Sequence, residues 1–396
     1  MAKIYNTMGI KALSDIYTEG CSGMLRLKKL WRNRIAIDAG TWICSSWAIS
    51  CKQYISSKDL DLFAECGYNG VNLVSDSATP ASLGIKYYPS DAFIRIQNEW
   101  VNQFKRFIST LLKEGITPVW VFDGESPVEK GGCKEERKKA RDKAKAKLDQ
   151  YIITLARMGP LLRAQHLADL KKETLNASVL PGPSHDFLKT IIRACGLPCL
   201  QCNQEAERLC SSLFLEGWVS AVYTTDTDAL VHGCFTLLNG MQGSELFKYV
   251  YLPRILAEHQ LTYPQFIDVC IMAGCDYNKN IYRVGIKKSL KLIQTHKSID
   301  CLPPNYDISC LNHTRCRELF SRIAAQSLTS DPINDQSMNW DLNSVAHMTR
   351  NVFESYDIHG LLEMLLHYFE GFPHPGRLTE FFNPTVMTMD DVEIQG

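Results

Sequence analysis

Three short apolar runs each end on an aspartate, and that repeat constrains the fold of this chain more than any other feature. Arg34-Ile35-Ala36-Ile37-Asp38, Thr117-Pro118-Val119-Trp120-Val121-Phe122-Asp123 and Val219-Ser220-Ala221-Val222-Tyr223-Thr224-Thr225-Asp226 read as short buried strands. Between them lie helix-length amphipathic segments. One runs from Ala92 to Glu114, with Phe93, Ile96, Trp100, Phe104, Phe107, Ile108 and Leu111 recurring at helical spacing, and another from His185 to Cys195. Strands alternating with helices predict an α/β sheet that is largely parallel. Ligands of such sheets bind beyond the carboxyl ends of the strands. The three aspartates stand at that edge.

Further acids join them. Glu205-Ala206-Glu207 opens the helical stretch AERLCSSLFLEG, Asp228 follows Asp226 by two residues, and Asp276 lies in Ala273-Gly274-Cys275-Asp276-Tyr277. Any one of these seven carboxylates, taken alone, reads as a helix cap or a strand-end turn. Seven beside apolar strand ends read as a pocket. Carboxylates so crowded repel one another unless hard cations neutralise them, and oxygen-rich sites suit Mg²⁺ or Mn²⁺. Two such ions close together are an apparatus for phosphodiester hydrolysis.

Composition sharpens this reading. A length of 396 residues predicts two to three domains, or one large domain with appendages. Lys and Arg number 43, as do Asp and Glu, which excludes a uniformly basic nucleic-acid binder but permits charge segregated between surfaces. Segregation is visible directly after Asp123-Gly124. Lys130, Lys134, Arg137, Lys138, Lys139, Arg141, Lys143, Lys145 and Lys147 are opposed only by Glu135, Glu136 and Asp142, in a Pro-free stretch that predicts a helix. Such a run alone is equally a solvated helix face. Beside a carboxylate pocket it is the positive counterpart that a polyanionic substrate needs. A second basic segment, Gly285 to Lys297, has a glycine turn opening an amphipathic helix, which presents amides and lysines to a phosphate backbone or forms an ordinary surface helix. No apolar run reaches membrane-spanning length and the N-terminus lacks the apolar core of a signal peptide, so an intracellular protein away from membranes is expected. The 15 cysteines, an odd number mostly inside apolar runs, predict free buried thiols; Cys195, Cys199 and Cys202 contain a single CxxC without a second pair at zinc spacing.

Six motifs in register spell a family. Met8-Gly9-Ile10-Lys11-Ala12-Leu13, Ala36-Ile37-Asp38-Ala39, Val121-Phe122-Asp123-Gly124, Gln204-Glu205-Ala206-Glu207, Thr225-Asp226-Thr227-Asp228 and Gly274-Cys275-Asp276-Tyr277 are followed by Val284-Gly285-Ile286-Lys287-Lys288. Over roughly residues 8 to 300 the chain resembles the flap endonucleases and their structure-specific 5′-nuclease relatives. The resemblance implies a PIN-like core, a helical arch threaded by a single-stranded 5′ end, and a helix-two-turn-helix that grips duplex DNA. It implies that Asp38, Asp123, Glu205 and Glu207 hold one Mg²⁺ and that Asp226, Asp228 and Asp276 bind or orient a second, Mn²⁺ being able to substitute. Lys130 and Arg137 match the arch residues that act on the scissile phosphate. Gly9, Gly285, Lys287 and Lys288 match DNA-contacting positions, and the hairpin implies a K⁺ ion. Expected domains are a nuclease core over 8–240 (arch about 125–180), a DNA-binding helical region over 241–340 and a C-terminal region over 341–396.

In that last region Gly376 to Phe382 resembles a box for the sliding clamp (PCNA), with Leu378, Phe381 and Phe382 as its apolar plugs and Pro375 where a glutamine is usual. An amphipathic turn packed on its own domain is the equal alternative. The chain departs from the pattern elsewhere too. Met1 to Thr7 precede the usual start, and Cys44 stands where a base-stacking aromatic is expected, with Trp42 or Trp47 as substitutes. Arg283 replaces the hairpin's first glycine, and an insertion over about 60–89 lengthens the interval from Asp38 to Asp123. The implied activity is two-metal cleavage of 5′ flaps or related branched DNA by a monomer, nuclear in a cell and cytoplasmic for a virus. A Holliday-junction resolvase or 5′ exonuclease of the same superfamily, and a non-catalytic scaffold binding DNA and clamp, are the alternatives.

Overall fold

The computed structural model describes residues 9–57, 90–156, 184–194, 197–243 and 245–334, together with 169, 172, 173 and 176. The expected insertion and the expected clamp-binding segment, with Leu378, Phe381 and Phe382, lie outside them. Seven strands form one sheet: β1 (Ser22–Arg26), β2 (Arg34–Asp38), β3 (Thr117–Phe122), β4 (Cys199–Gln201), β5 (Ala221–Tyr223), β6 (Thr236–Gln242) and β7 (Leu246–Tyr251), in the order β1-β7-β6-β5-β2-β3-β4. The five strands from β6 to β4 run parallel. The three runs that end on aspartate are thus the adjacent strands β5, β2 and β3, and every residue of β2 is buried. That is what unbroken apolar sequence predicts for a strand covered on both faces.

The sheet continues beyond residue 240, the limit expected for the α/β core. β7 turns back antiparallel on β6, and β1 pairs antiparallel with β7. The alternation in Leu246-Phe247-Lys248-Tyr249 buries Phe247 and Tyr249 while Lys248 meets solvent, as an antiparallel strand near a sheet edge requires. One hydrophobic cluster then unites the sheet with the helices that follow, so sheet and C-terminal helices share a core.

One face of the sheet is covered by α1 (Ala39–Ser57) and α2 (Ser90–Lys113). Trp42 packs edge-on against Trp120 of β3, with ring centroids 5.4 Å apart, and against Phe104 of α2 at 5.7 Å. Trp47 meets Trp100 at 5.9 Å. Both tryptophans are 4% exposed, so neither is placed to stack on a base. As substitutes for the aromatic expected at Cys44 they therefore fail, because the turn of α1 carries both into the aromatic core.

The remaining helices follow in chain order. After α3 (Gly131–Ala156), α4 (Ser184–Ala194), α5 (Ala206–Leu215) and the single turn α6 (Asp228–Val231) come α7 (Leu252–His259), α8 (Tyr263–Ala273), α9 (Ile286–His296) and α10 (His313–Leu319). Ala36, Val119, Val121 and Val222 of the sheet share a cluster with apolar residues of α5, α8 and α9. Thr262 caps α8 through the reciprocal box with Gln265. The helix ends at Gly274, whose φ of +98° disfavours side chains. Two turns, at 276–277 and 282–283, lead into α9, giving the expected helix-two-turn-helix. Arg283, where the resemblance expects a glycine, holds φ +57°, so the second turn takes up a left-handed backbone of the kind a glycine adopts most readily.

Among the described residues no helix is long and apolar enough to cross a membrane, and every cysteine is a free thiol. Trp42→Ala is expected to lower stability by about 3–5 kcal/mol, the cost of emptying a large aromatic site. Urea unfolding followed by far-ultraviolet circular dichroism measures it; an unshifted midpoint would place Trp42 outside the core.

Candidate active site

Parallel strands end on a common edge, and the chain turns there into helices whose first amides need partners. The acids answer that need. Asp38 accepts from the Thr41 amide at 3.1 Å through Oδ1, and its Oδ2 accepts from the hydroxyls of Thr41 and Thr224 at 2.5 and 2.7 Å. Asp123 Oδ1 accepts from the Ala206 amide at the start of α5, at 2.8 Å, and Asp226 Oδ1 from the Asp228 amide, at 2.9 Å. Helix capping and pocket building are therefore one arrangement. The backbone bonds fix one oxygen of each of these three carboxylates.

All seven acids converge. Gly40 lies between Asp38 and Asp123: a Cβ there would stand 2.7 Å from Asp123 Oδ2 and 3.5 Å from Asp38 Oδ1. Glu207, Asp226 and Asp228 bring ligand oxygens within 4.8 Å of one another. Lys130 bridges the remainder from the turn before α3. Its Nζ donates to Glu205 Oε1 and lies 3.5 Å from both Glu207 Oε1 and Asp276 Oδ2. Two helical turns later Arg137 donates through Nη2 to both oxygens of Asp276, at 2.9 and 2.8 Å. Gly9 closes the wall, at φ +76°, where a Cβ would lie 2.3 Å from Asp226 Oδ1. The Ile10 amide donates to Thr227 Oγ1 at 2.9 Å, pinning this N-terminal segment to the acid loop.

Burial among like charges shows in the titration. Asp226 is pushed up to about 7, first by desolvation and then by Asp276 and Asp38, against the opposing pull of Lys130. Asp123 has more surface open to water than the other six acids. Its carboxyl nonetheless rises to about 6, from desolvation within the recess and then from Asp38. Glu207 and Asp228 rise well above the carboxylate range, desolvation leading in each. Burial opposes the charge on Lys130, but Glu207 and Glu205 outweigh it and its pKa rises. Within the pocket both buried oxygens of Asp228 find no hydrogen-bond partner, and Glu207 Oε1 has only the Lys130 ammonium at 3.5 Å. Orphaned acceptors at this depth are costly unless a cation or water satisfies them. Their donor chemistry, carboxylate oxygen only, suits a hard divalent ion.

The remaining DNA-contact candidates lie elsewhere. Gly285 caps α9, and Lys287 and Lys288 project from its first turn into solvent, with Lys288 Nζ 5.4 Å from the Tyr306 ring centre. Sequence reasoning missed three groups that the structure puts in the pocket. Thr41 and Thr224 bind Asp38, and Cys133 Sγ donates to Asp276 Oδ1 at 3.4 Å. Cys133 falls between Lys130 and Arg137 on the same approach to the acids, a spacing visible in the sequence. The threonines carry no comparable signal.

A parallel sheet with a carboxylate pocket at its strand ends, faced by a basic helix and backed by a helix-two-turn-helix, defines the class of structure-specific nucleases. Comparison with known proteins agrees. The family model described as XPG I-region matches residues 196–276. Flap endonuclease 1 of Caenorhabditis briggsae is 33% identical over 326 residues, covering 79% of this chain and 74% of the relative. A probable RAD2-like endonuclease, 369L of Invertebrate iridescent virus 6, is 27% identical over 414 residues, 92% of each chain. Among solved structures, flap endonuclease-1 from Methanococcus jannaschii shares the fold with a TM-score of 0.51 at 18% identity, covering 88% of this chain and 96% of that one. The chain belongs to the flap endonuclease family of structure-specific 5′ nucleases.

A raised carboxyl pKa means that the folded protein binds protons the unfolded chain has released, so stability falls as pH rises from the ordinary value of 3.8 through about 7 for Asp226. In chelator, the melting temperature is expected to drop between about pH 4 and about pH 7, and Asp226→Asn to flatten that drop. Equal slopes for the two proteins in scanning calorimetry would refute the assignment.

Proposed function

We propose that the seven carboxylates hold two divalent cations and that the protein cuts DNA at 5′ flaps or related branches. The observation that carries this reading is the pair of unpartnered oxygens on Asp228, buried where its carboxylate meets those of Glu207 and Asp226. Asp38, Asp123, Glu205 and Glu207 would hold one ion, and Asp226, Asp228 and Asp276 would bind or orient the other. Mg²⁺ is the physiological candidate and Mn²⁺ a substitute. Bound there, such ions supply an activated water and neutralise charge in an in-line displacement at phosphorus.

The chain's own groups do the rest. Lys130, in the turn before α3, and Arg137, on α3 itself, both reach the acids, where their donors meet the non-bridging oxygens of an incoming phosphate and stabilise its developing charge. Lys134, Lys138, Lys139, Lys143 and Lys145 are exposed and draw the polyanion toward them. Gly285, Lys287 and Lys288 at the start of α9 take the duplex through its backbone, and Gly9 holds the wall beside Asp226. Rate enhancement and positioning thus fall to separate parts of the molecule.

A labelled 5′-flap DNA incubated with and without Mg²⁺ tests the proposal, and a second substrate with a blocked 5′ end separates threading flaps from junction resolution. Asp226→Ala is expected to abolish cleavage while DNA binding persists, since the variant removes a negative charge and no phosphate contact; more than a few percent residual activity would exclude it from the site. Lys130→Ala should slow single-turnover cleavage by on the order of 10²-fold. An unchanged rate would remove the lysine from the mechanism.

A further inference from the structure

Glu205 differs from its neighbours in the pocket. Lys130 donates to its Oε1, and the hydroxyl of Tyr277 donates to its Oε2. Tyr277 is 5% exposed, and its ring meets that of Phe320 at 5.4 Å in an edge-on contact. It occupies the first of the two turns between α8 and α9, next to Asp276. Adjacent residues of one turn therefore face two parts of the pocket, Asp276 toward Arg137 and Tyr277 toward Glu205.

We infer that Tyr277 is a positioning residue that fixes the Glu205 carboxylate for cation binding, an inference that rests on the cation reading of the pocket. The argument concerns which partner stays. Glu205 sits at the residue before α5, with no side-chain bond to its own helix, so its orientation comes from its tertiary partners. Lys130 is buried at the end of the turn before α3 on a flexible four-carbon stem, and to meet a phosphate its ammonium must leave Glu205. Tyr277 has no such freedom, because its ring is enclosed by Phe320 and by the turn that carries it. An ordinary phenol is protonated at neutral pH, so Tyr277 remains a donor. A neutral donor holds one carboxylate oxygen without cancelling the charge that a cation needs, whereas an ammonium at the same place would compete with the cation. Partners of this kind, one step removed from a metal, typically change metal affinity by about 10- to 100-fold when lost.

The test is Mn²⁺ binding by the full chain without DNA, followed by titration calorimetry and by the paramagnetic resonance signal of free Mn²⁺. Tyr277→Phe removes one oxygen and keeps the ring against Phe320. It is expected to weaken Mn²⁺ binding about 10-fold or more while the melting temperature in chelator moves little. In a Glu205→Gln background the same change is expected to have far less effect, since Tyr277 acts through that carboxylate. Equal affinity of Tyr277→Phe and the parent would overturn the inference and leave the cation reading standing. So would an undiminished loss in the Glu205→Gln background. A parent protein that binds no Mn²⁺ would overturn the cation reading and this inference together.

Discussion

Mutual repulsion among buried carboxylates is the constraint that the rest of this structure serves. Two unit charges about 4 Å apart repel by about 4 kcal/mol even at an effective dielectric near 20, and seven acids meet here. The fold contains that repulsion with three devices. Backbone amides at helix starts take one oxygen each from Asp38, Asp123 and Asp226. Lys130 and Arg137 place two positive charges among the acids. Protonation relieves the remainder, which is why Asp226 and Asp228 titrate above the ordinary range. Only a parallel arrangement delivers all three at once, because it brings strand ends and helix starts to the same edge.

The spacing of the basic helix follows from the same constraint. Lys130 and Arg137 are seven residues apart, close to two turns at 3.6 residues each, so both side chains reach the pocket from one side. The lysines between and beyond them point away and stay exposed. The helix therefore has an inner face with two cations committed to acids and an outer face available to a polyanion. A neutral whole-chain charge conceals this division, since it counts the buried pocket acids and the exposed lysines of α3 alike.

Much of this was legible in the sequence, and the parts that were not share a cause. Runs ending on Asp38, Asp123 and Asp226 identify parallel strands because burial on both faces leaves no polar alternation, and parallel strands must align their ends. The function of Tyr277 depended instead on a contact between α5 and a turn 72 residues away, with no local pattern to announce it. Trp42 and Trp47 misled for a related reason. Position along the chain put them near Asp38, but side-chain direction on α1 is set by the aromatic residues of α2 and β3 that meet them. β7 escaped because its partner β6 is defined only once the sheet is assembled. Arg283 shows the converse: residue identity argued against the family's turn, and the backbone kept it.

The unsatisfied oxygens carry a consequence for how the protein balances stability against activity. A core selected for stability alone would replace Asp228, fully buried with both oxygens unpartnered, by an apolar residue of similar volume, as buried charges of this kind commonly cost more than they return. Under the proposed cation reading the stabilising partner arrives from outside the chain, so the pocket is most stable with its ions bound. That places the burden of holding the metal-free form on the surrounding packing. The aromatic cluster of Trp42, Trp100, Phe104 and Trp120 supplies it on one face of the sheet, and the continuous apolar cluster from β2 to α10 on the other. Two dense cores flank an edge that could not stand alone, and the chemistry resides on that edge because its charges are the ones the fold leaves unmatched.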